Sequence, residues 1–174
     1  MRLDPIDTTA ARLILQTSEG FVSQSPGAKA RVWNGTLRPA RAGHPLSAHL
    51  RGAGGAYKTK FCSFDDMASA LAAVLATSRG AAVVAQLAPG SRGPEINVTL
   101  PRLYPIEAVL DGVPKVRAKF TTSELIAAGI RQTRCLAIVE DRVRGGREYL
   151  HVQTFYPKLE SAQVWSLFDR KTQP

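Results

Sequence analysis

Between Gly20 and Phe64 the sequence has no acidic residue. An acid-free stretch of this length favours a polyanion, because a stray carboxylate repels phosphate. Cysteine is scarce. Cys62 and Cys135 are the only two, they fit no CxxC or zinc spacing, and their apolar neighbours point to buried free thiols. A disulfide between them requires an oxidising compartment. No apolar run approaches the roughly 18 residues that a membrane span needs. The opening MRLDPIDTTAARLILQ has no secretory apolar region, because acidic and polar residues interrupt it. Both absences point to a soluble chain acting in the cytoplasm. The sequence also lacks a Walker loop, a GxGxxG after a strand, HExxH, GxSxG and an EF-hand loop. Its carboxylates are scattered rather than gathered for a divalent metal. No metal and no cofactor are expected from this inventory.

What is present is positive charge. The 174 residues hold 23 Lys and Arg against 14 Asp and Glu, a formal net charge of +9. Seven of the basic residues, Lys29, Arg31, Arg38, Arg41, Arg51, Lys58 and Lys60, fall inside the acid-free stretch together with His44 and His49. Nucleic acid is the first partner class that such a balance favours, and an anionic membrane surface the second.

The length fits one domain, here divided into an N-terminal helix and basic arm over 1–42 and a main body over 43–174. A first helix is predicted over about 8–18, capped by Asp7 or Thr8, with Ala10, Leu13, Ile14 and Thr17 on one face. Residues 21–43 read as a loop or arm. A short helix from Pro45 to about Arg51 carries His49, and a glycine-rich loop follows as far as Lys60. Ser63 and Asp66 open the clearest helix in a capping-box pattern, with Phe64, Met67, Ala68, Leu71 and Leu75 at helical spacing, and Arg79 then Gly80 close it. Ala81–Leu87 fits either a second helix or a buried strand.

Later segments alternate as strands: Glu95–Leu100, Lys115–Phe120, Cys135–Val139 and Tyr149–Tyr156. A short helix is predicted over Thr121–Ile130, a hairpin turn at Gly145–Gly146, and a last helix near Leu159–Asp169. Helices first and strands later, without strict alternation, imply an α+β fold in which N-terminal helices pack on a largely antiparallel sheet.

The remaining toolkit of His, Lys, Arg, Thr and Tyr suits cleavage of RNA through its own 2′-hydroxyl. That reaction needs a base, an acid and cations to offset the charge of the phosphorane. Histidine, with an ordinary pKa of about 6.5, fits the proton transfers. Tyrosine, near 10, fits hydrogen bonding to phosphate better than proton donation at neutral pH. In the last strand, strict period two places Val152, Thr154 and Tyr156 on one face and His151, Gln153 and Phe155 on the other. On that count His151 joins Thr154 and Tyr156 only if a bulge intervenes.

Four stretches in order, GHPLSAHL, FCSFDDMASALAAVLAT, AAVVAQL and YLHVQTFYP, resemble the bacterial RNase A-like toxin domain at the C-termini of contact-dependent growth inhibition proteins. The resemblance covers roughly residues 43–157. It implies a kidney-shaped α+β fold and a metal-independent ribonuclease that leaves a 2′,3′-cyclic phosphate. It also implies a helix histidine, carried over to His49 with His44 as the other candidate, and a strand pair, Thr154 and Tyr156. The family's basic residue is usually an arginine; Lys60 or Lys58 stands in that neighbourhood, with Arg51 nearer the histidine. Catalysis is thus expected from His49, Lys60, Thr154 and Tyr156, and substrate binding from His44, Arg51 and Lys58. The implied partners are an RNA substrate and an acidic immunity protein, with the chain itself a monomer. A non-catalytic RNA-binding module on the same scaffold is the alternative.

Overall fold

A computed structural model describes residues 1, 3–18, 57–110, 116–158 and 162–172. The expectations for the arm at 21–43, the short helix after Pro45, and His44, His49 and Arg51 lie outside the described residues.

The fold is α+β, with antiparallel sheets. Helices α1 (Thr8–Ser18), α2 (Phe64–Ala76) and α3 (Ser78–Gln86) pack on one sheet, made of β2 (Ile96–Leu100), β5 (Thr133–Arg144) and β6 (Arg147–Pro157) in the order β2-β5-β6. A second sheet holds β1 (Tyr57–Phe61), β3 (Ile106–Leu110) and β4 (Val116–Phe120) in the order β1-β3-β4. Helices α4 (Thr122–Ala127) and α5 (Ala162–Thr172) cover that sheet through Leu125 and Phe168, which are buried with Ile106, Ala108, Ala118 and Phe120. Among the described residues, no single helix is long and apolar enough to cross a membrane.

Caps set the helix starts. The Asp7 carboxylate accepts from the Ala10 N–H at 2.8 Å, and Ser63 accepts from the Asp66 N–H at 3.1 Å. Thr121 and Glu124 form a reciprocal capping box at α4. Thr77 ends α2 and at once caps α3, its hydroxyl accepting from the Gly80 N–H at 3.0 Å, and the two helices meet at 76°. Gly80 makes the elbow possible: a Cβ there would lie 2.1 Å from the Val74 carbonyl oxygen. Ala81–Leu87 is therefore helical up to Gln86, and the long helix read from Ser63 to Gly80 is two.

Three expectations are corrected. In α1 the buried side chains are Ala11, Leu15 and Ser18, while Leu13 is 61% exposed. Ser18 is buried on this face because its hydroxyl accepts from the Val152 N–H at 2.9 Å. Where the expected loop runs up to Lys60, the described part, Tyr57–Phe61, is strand β1, paired residue for residue with β3. Neither partner carries a local strand signal that stands out; each is stabilised by pairing with the other. The β5 and β6 strands extend beyond their predicted ends into one long hairpin. Gly145 and Gly146, at φ 57° and 75°, provide the two left-handed positions that its turn requires.

Asp141 stands out in this hairpin. It is fully buried on the core side of β5, opposite Leu150, and among the described residues neither carboxylate oxygen has a hydrogen-bond partner. An unsatisfied buried polar group costs about 1–3 kcal/mol. Asp141→Val is expected to raise the unfolding free energy by about that amount. A urea midpoint equal to or below that of the parent protein counts against this account.

Candidate functional site

The face of the β2-β5-β6 sheet turned away from α1–α3 mixes polar and apolar side chains, with Leu136, Ile138, Glu140, His151 and Thr154 on it buried, and its geometry turns on one residue. Ile138 pairs with Thr154 and Val139 with Val152, so Gln153 is an extra residue in β6, a β-bulge. The bulge shifts the alternation. Val152 and Phe155, three apart, both enter the core with no exposure. His151, Thr154 and Tyr156 then share the outer face. This corrects strict period two, which sets His151 against Thr154 and puts Val152 beside it.

Register builds that face in rows. Asn97, Leu136 and Tyr156 lie side by side; Ile138 lies beside Thr154; Glu140 opposes His151, and Arg142 opposes Tyr149. Leu136 and Ile138, both buried, form an apolar floor between the polar groups. Glu140 and Arg142 are two apart on the strand and joined by an ion pair of 2.6 Å. His151 is fully buried on this face. Burial, aided by the positive charge of Arg142, pushes its pKa down to about 3, so the imidazole is neutral at physiological pH. The Tyr156 hydroxyl is half-buried, and burial together with the nearby Glu95 charge pushes its pKa up. Tyr156 is therefore a protonated hydrogen-bond donor across the neutral range.

Strand β1 runs beside the end of β6. The Thr59 hydroxyl donates to the Pro157 carbonyl, and the Phe61 and Phe155 rings stand 5.1 Å apart. Lys60 leaves the other side of β1 and meets Glu107, directly opposite on β3, in a buried ion pair of 3.2 Å. Lys119 follows Glu107 in the same row and is exposed, as is Arg117 on the same face. Lys58 pairs in register with Val109 and its side chain lies outside the described residues. Cys62 is raised in pKa by burial first and by Glu107 second, and burial pushes Cys135 up to about 12. Both cysteines are free thiols with the reactive thiolate suppressed.

The structure thus brings Thr154 and Tyr156 together on one face and sets the strand of Lys60 alongside them. His44, His49 and Arg51 lie outside the described residues. Sequence reasoning did not select Glu95, Glu140, Arg142 and His151. One signal was legible: apolar residues at Leu150, Val152, Phe155 and Pro157 break step between 152 and 155. Among the described residues, no three His, Cys, Asp or Glu side chains gather closely enough to hold a metal ion. Compared with protein-family models, with curated proteins and with solved structures, the chain finds no match.

The depressed pKa of His151 has a measurable consequence. The unfolded chain takes up a proton there near pH 6.5, whereas the folded chain resists it until about pH 3. Between those values the unfolded state binds more protons, so stability is lost as pH falls, by up to about 1.4 kcal/mol per pH unit. His151→Gln is expected to flatten the decline in urea-unfolding free energy between pH 6 and pH 4. Parallel declines in the two proteins would contradict a buried neutral imidazole.

Proposed function

We propose that the protein is a metal-independent endoribonuclease, the toxic effector of an interbacterial system acting in the cytosol of a target cell. The observation that carries this reading is the pair of hydroxyls, Thr154 and Tyr156, set by the bulge on one polar face of a chain of net charge +9. Two donors in that arrangement suit the non-bridging oxygens of a phosphodiester, whose negative charge grows in the transition state.

In the proposed reaction His49 takes the 2′-hydroxyl proton, and the 2′-oxygen attacks phosphorus. The bond from phosphorus to the 5′-oxygen breaks, that oxygen receives a proton, and a 2′,3′-cyclic phosphate and a 5′-hydroxyl result. Thr154 and Tyr156 hold the phosphate by donated hydrogen bonds. His151 is not assigned the proton transfers, because a base of pKa about 3 is poorly matched to neutral pH. Lys60 offsets charge from the β1 side, with the exposed Lys119 sharing its row. A cell that makes such a protein needs an inhibitor, most simply an acidic immunity protein that covers the basic surface.

One observation favours the second reading, a non-catalytic RNA-binding module. Lys60 is buried against Glu107, so its charge is already compensated before any phosphate arrives. The two readings separate in one assay. Purified protein is expected to cleave total RNA in excess EDTA and to leave cyclic phosphate ends. His49→Ala is expected to lose about 100-fold or more of this rate, the span typical of a general base. Tyr156→Phe is expected to lose about 100-fold, the span of one transition-state donor. Intact RNA with salt-dependent binding would establish the binding module instead.

A further inference from the structure

The strand edges of the two sheets are closed in different ways. In the β1-β3-β4 sheet, the edge strand β4 carries the exposed Arg117 and Lys119, and the Lys171 amine donates to the Lys119 carbonyl. Charges of this kind keep other strands off an edge. Strand β1 lies beside the end of β6, where Thr59 meets Pro157. The remaining edge is β2. Its sequence, INVTL, has no charge and no proline, and it pairs with β5 residue for residue without a bulge. Ile, Val and Thr favour extended backbone. Five residues is an ordinary strand length, enough to template another strand. Among the described residues, nothing pairs with the other side of β2.

The faces and ends of this edge define what fits it. Val98 is half-buried and packs on the core, whereas Asn97 and Thr99 are exposed. A strand added beside β2 sets an apolar residue next to Val98 and polar residues next to Asn97 and Thr99. Both ends are cationic. Upstream, Arg92 bridges to Glu140 through its backbone and so continues the line of β2 along β5, and the Arg79 guanidinium donates to the Glu95 carbonyl at 3.2 Å. Downstream, Arg102 follows β2 by two residues, and Arg131 shares the wall of a hollow with Thr99. All four arginines are exposed. Against them stand the exposed Glu95 and Asp66, which lies 3.9 Å from Arg102, while Glu140 is paired with Arg142. We propose that the free edge of β2 docks an extended, acid-flanked segment of a partner protein as a further strand of this sheet. Backbone hydrogen bonds supply the pairing, and carboxylates on either side of the paired stretch meet the arginines. A second copy of this chain fits less well, because each copy brings a net charge of +9. The inference holds whether or not the chain cleaves RNA, since β2 contributes no residue to the proposed reaction.

The probe is a synthetic peptide, Glu-Glu-Thr-Val-Thr-Val-Thr-Glu-Glu, titrated at low salt into the isotope-labelled full chain. By NMR, the amide signals of Ile96–Leu100 are expected to shift together, and their exchange with solvent to slow. The same peptide with its backbone amides N-methylated keeps the charge but cannot pair. It is expected to bind about tenfold more weakly, the worth of one or two hydrogen bonds. Arg79→Gln/Arg92→Gln is expected to weaken binding of the unmodified peptide about fivefold, within the range of two exposed ion pairs. Both side chains are exposed; should the double variant fail to fold, Arg92→Gln alone carries the comparison with a loss of about twofold. Equal binding of the N-methylated peptide means attraction by charge alone and overturns the edge. Shifts centred away from β2, or no binding at millimolar peptide, overturn it as well. Unchanged affinity in the arginine variants overturns the acid-flanked partner. Signals of β2 that move with protein concentration in the absence of peptide assign the edge to a second copy and overturn it too.

Discussion

The arrangement of the candidate site depends on a mismatch of one residue in the pairing of β5 and β6. A strand has only two faces, and a shift of one exchanges them. Gln153 uses that property within a single strand: the portion before it and the portion after it keep their apolar side chains inward although their spacing is out of step. Without the extra residue, either Phe155 leaves its contact with Phe61 or Thr154 enters the core. Full burial of a phenylalanine is worth about 1.5–3 kcal/mol, so the packing holds the bulge in place. The hydroxyls of Thr154 and Tyr156 are thereby positioned by core packing on the opposite side of the sheet.

Charge is managed differently on the two sheets. On the β2-β5-β6 face, Arg142 is paired with Glu140 yet still disfavours a proton on His151, so the imidazole stays neutral among polar groups. On the β1-β3-β4 face, Glu107 sits between Lys60 and Lys119, two cations to one carboxylate, and the exposed end of the row is positive. The seam between the sheets, from Thr59 to Pro157, brings these surfaces to adjoining strand edges. One surface thus carries the Thr154 and Tyr156 hydroxyls and the other the exposed positive charge of Lys119 and Arg117.

Local chemistry was legible in the sequence wherever it was self-contained. Ser63 with Asp66 and Gly145 with Gly146 each mark a boundary by residues close together in sequence, and Thr121 marks the start of α4, where the structure adds Glu124 as its capping partner. The α+β class followed from element order. Features stabilised from a distance were not legible. Strand β1 exists because β3 pairs with it, and the Lys60 partner Glu107 is remote in sequence. The buried face of α1 is chosen by Ser18 reaching Val152. At the site, the shared face of Thr154 and Tyr156 could be counted from the strand, whereas the placement of His151 needed the bulge.

The elbow at Gly80 bears on how relatives of this chain can be recognised. A side chain at that position meets backbone, which cannot turn aside as a flexible side chain can. Any sequence that folds α2 onto α3 in this way needs a cap and, three residues later, a glycine, as in Thr77-Ser78-Arg79-Gly80. Surface residues are free to drift, and core residues can exchange among similar volumes. In this chain the Thr77–Gly80 turn is fixed by geometry, as is the apolar pair Val152 and Phe155, spaced by three across the bulge.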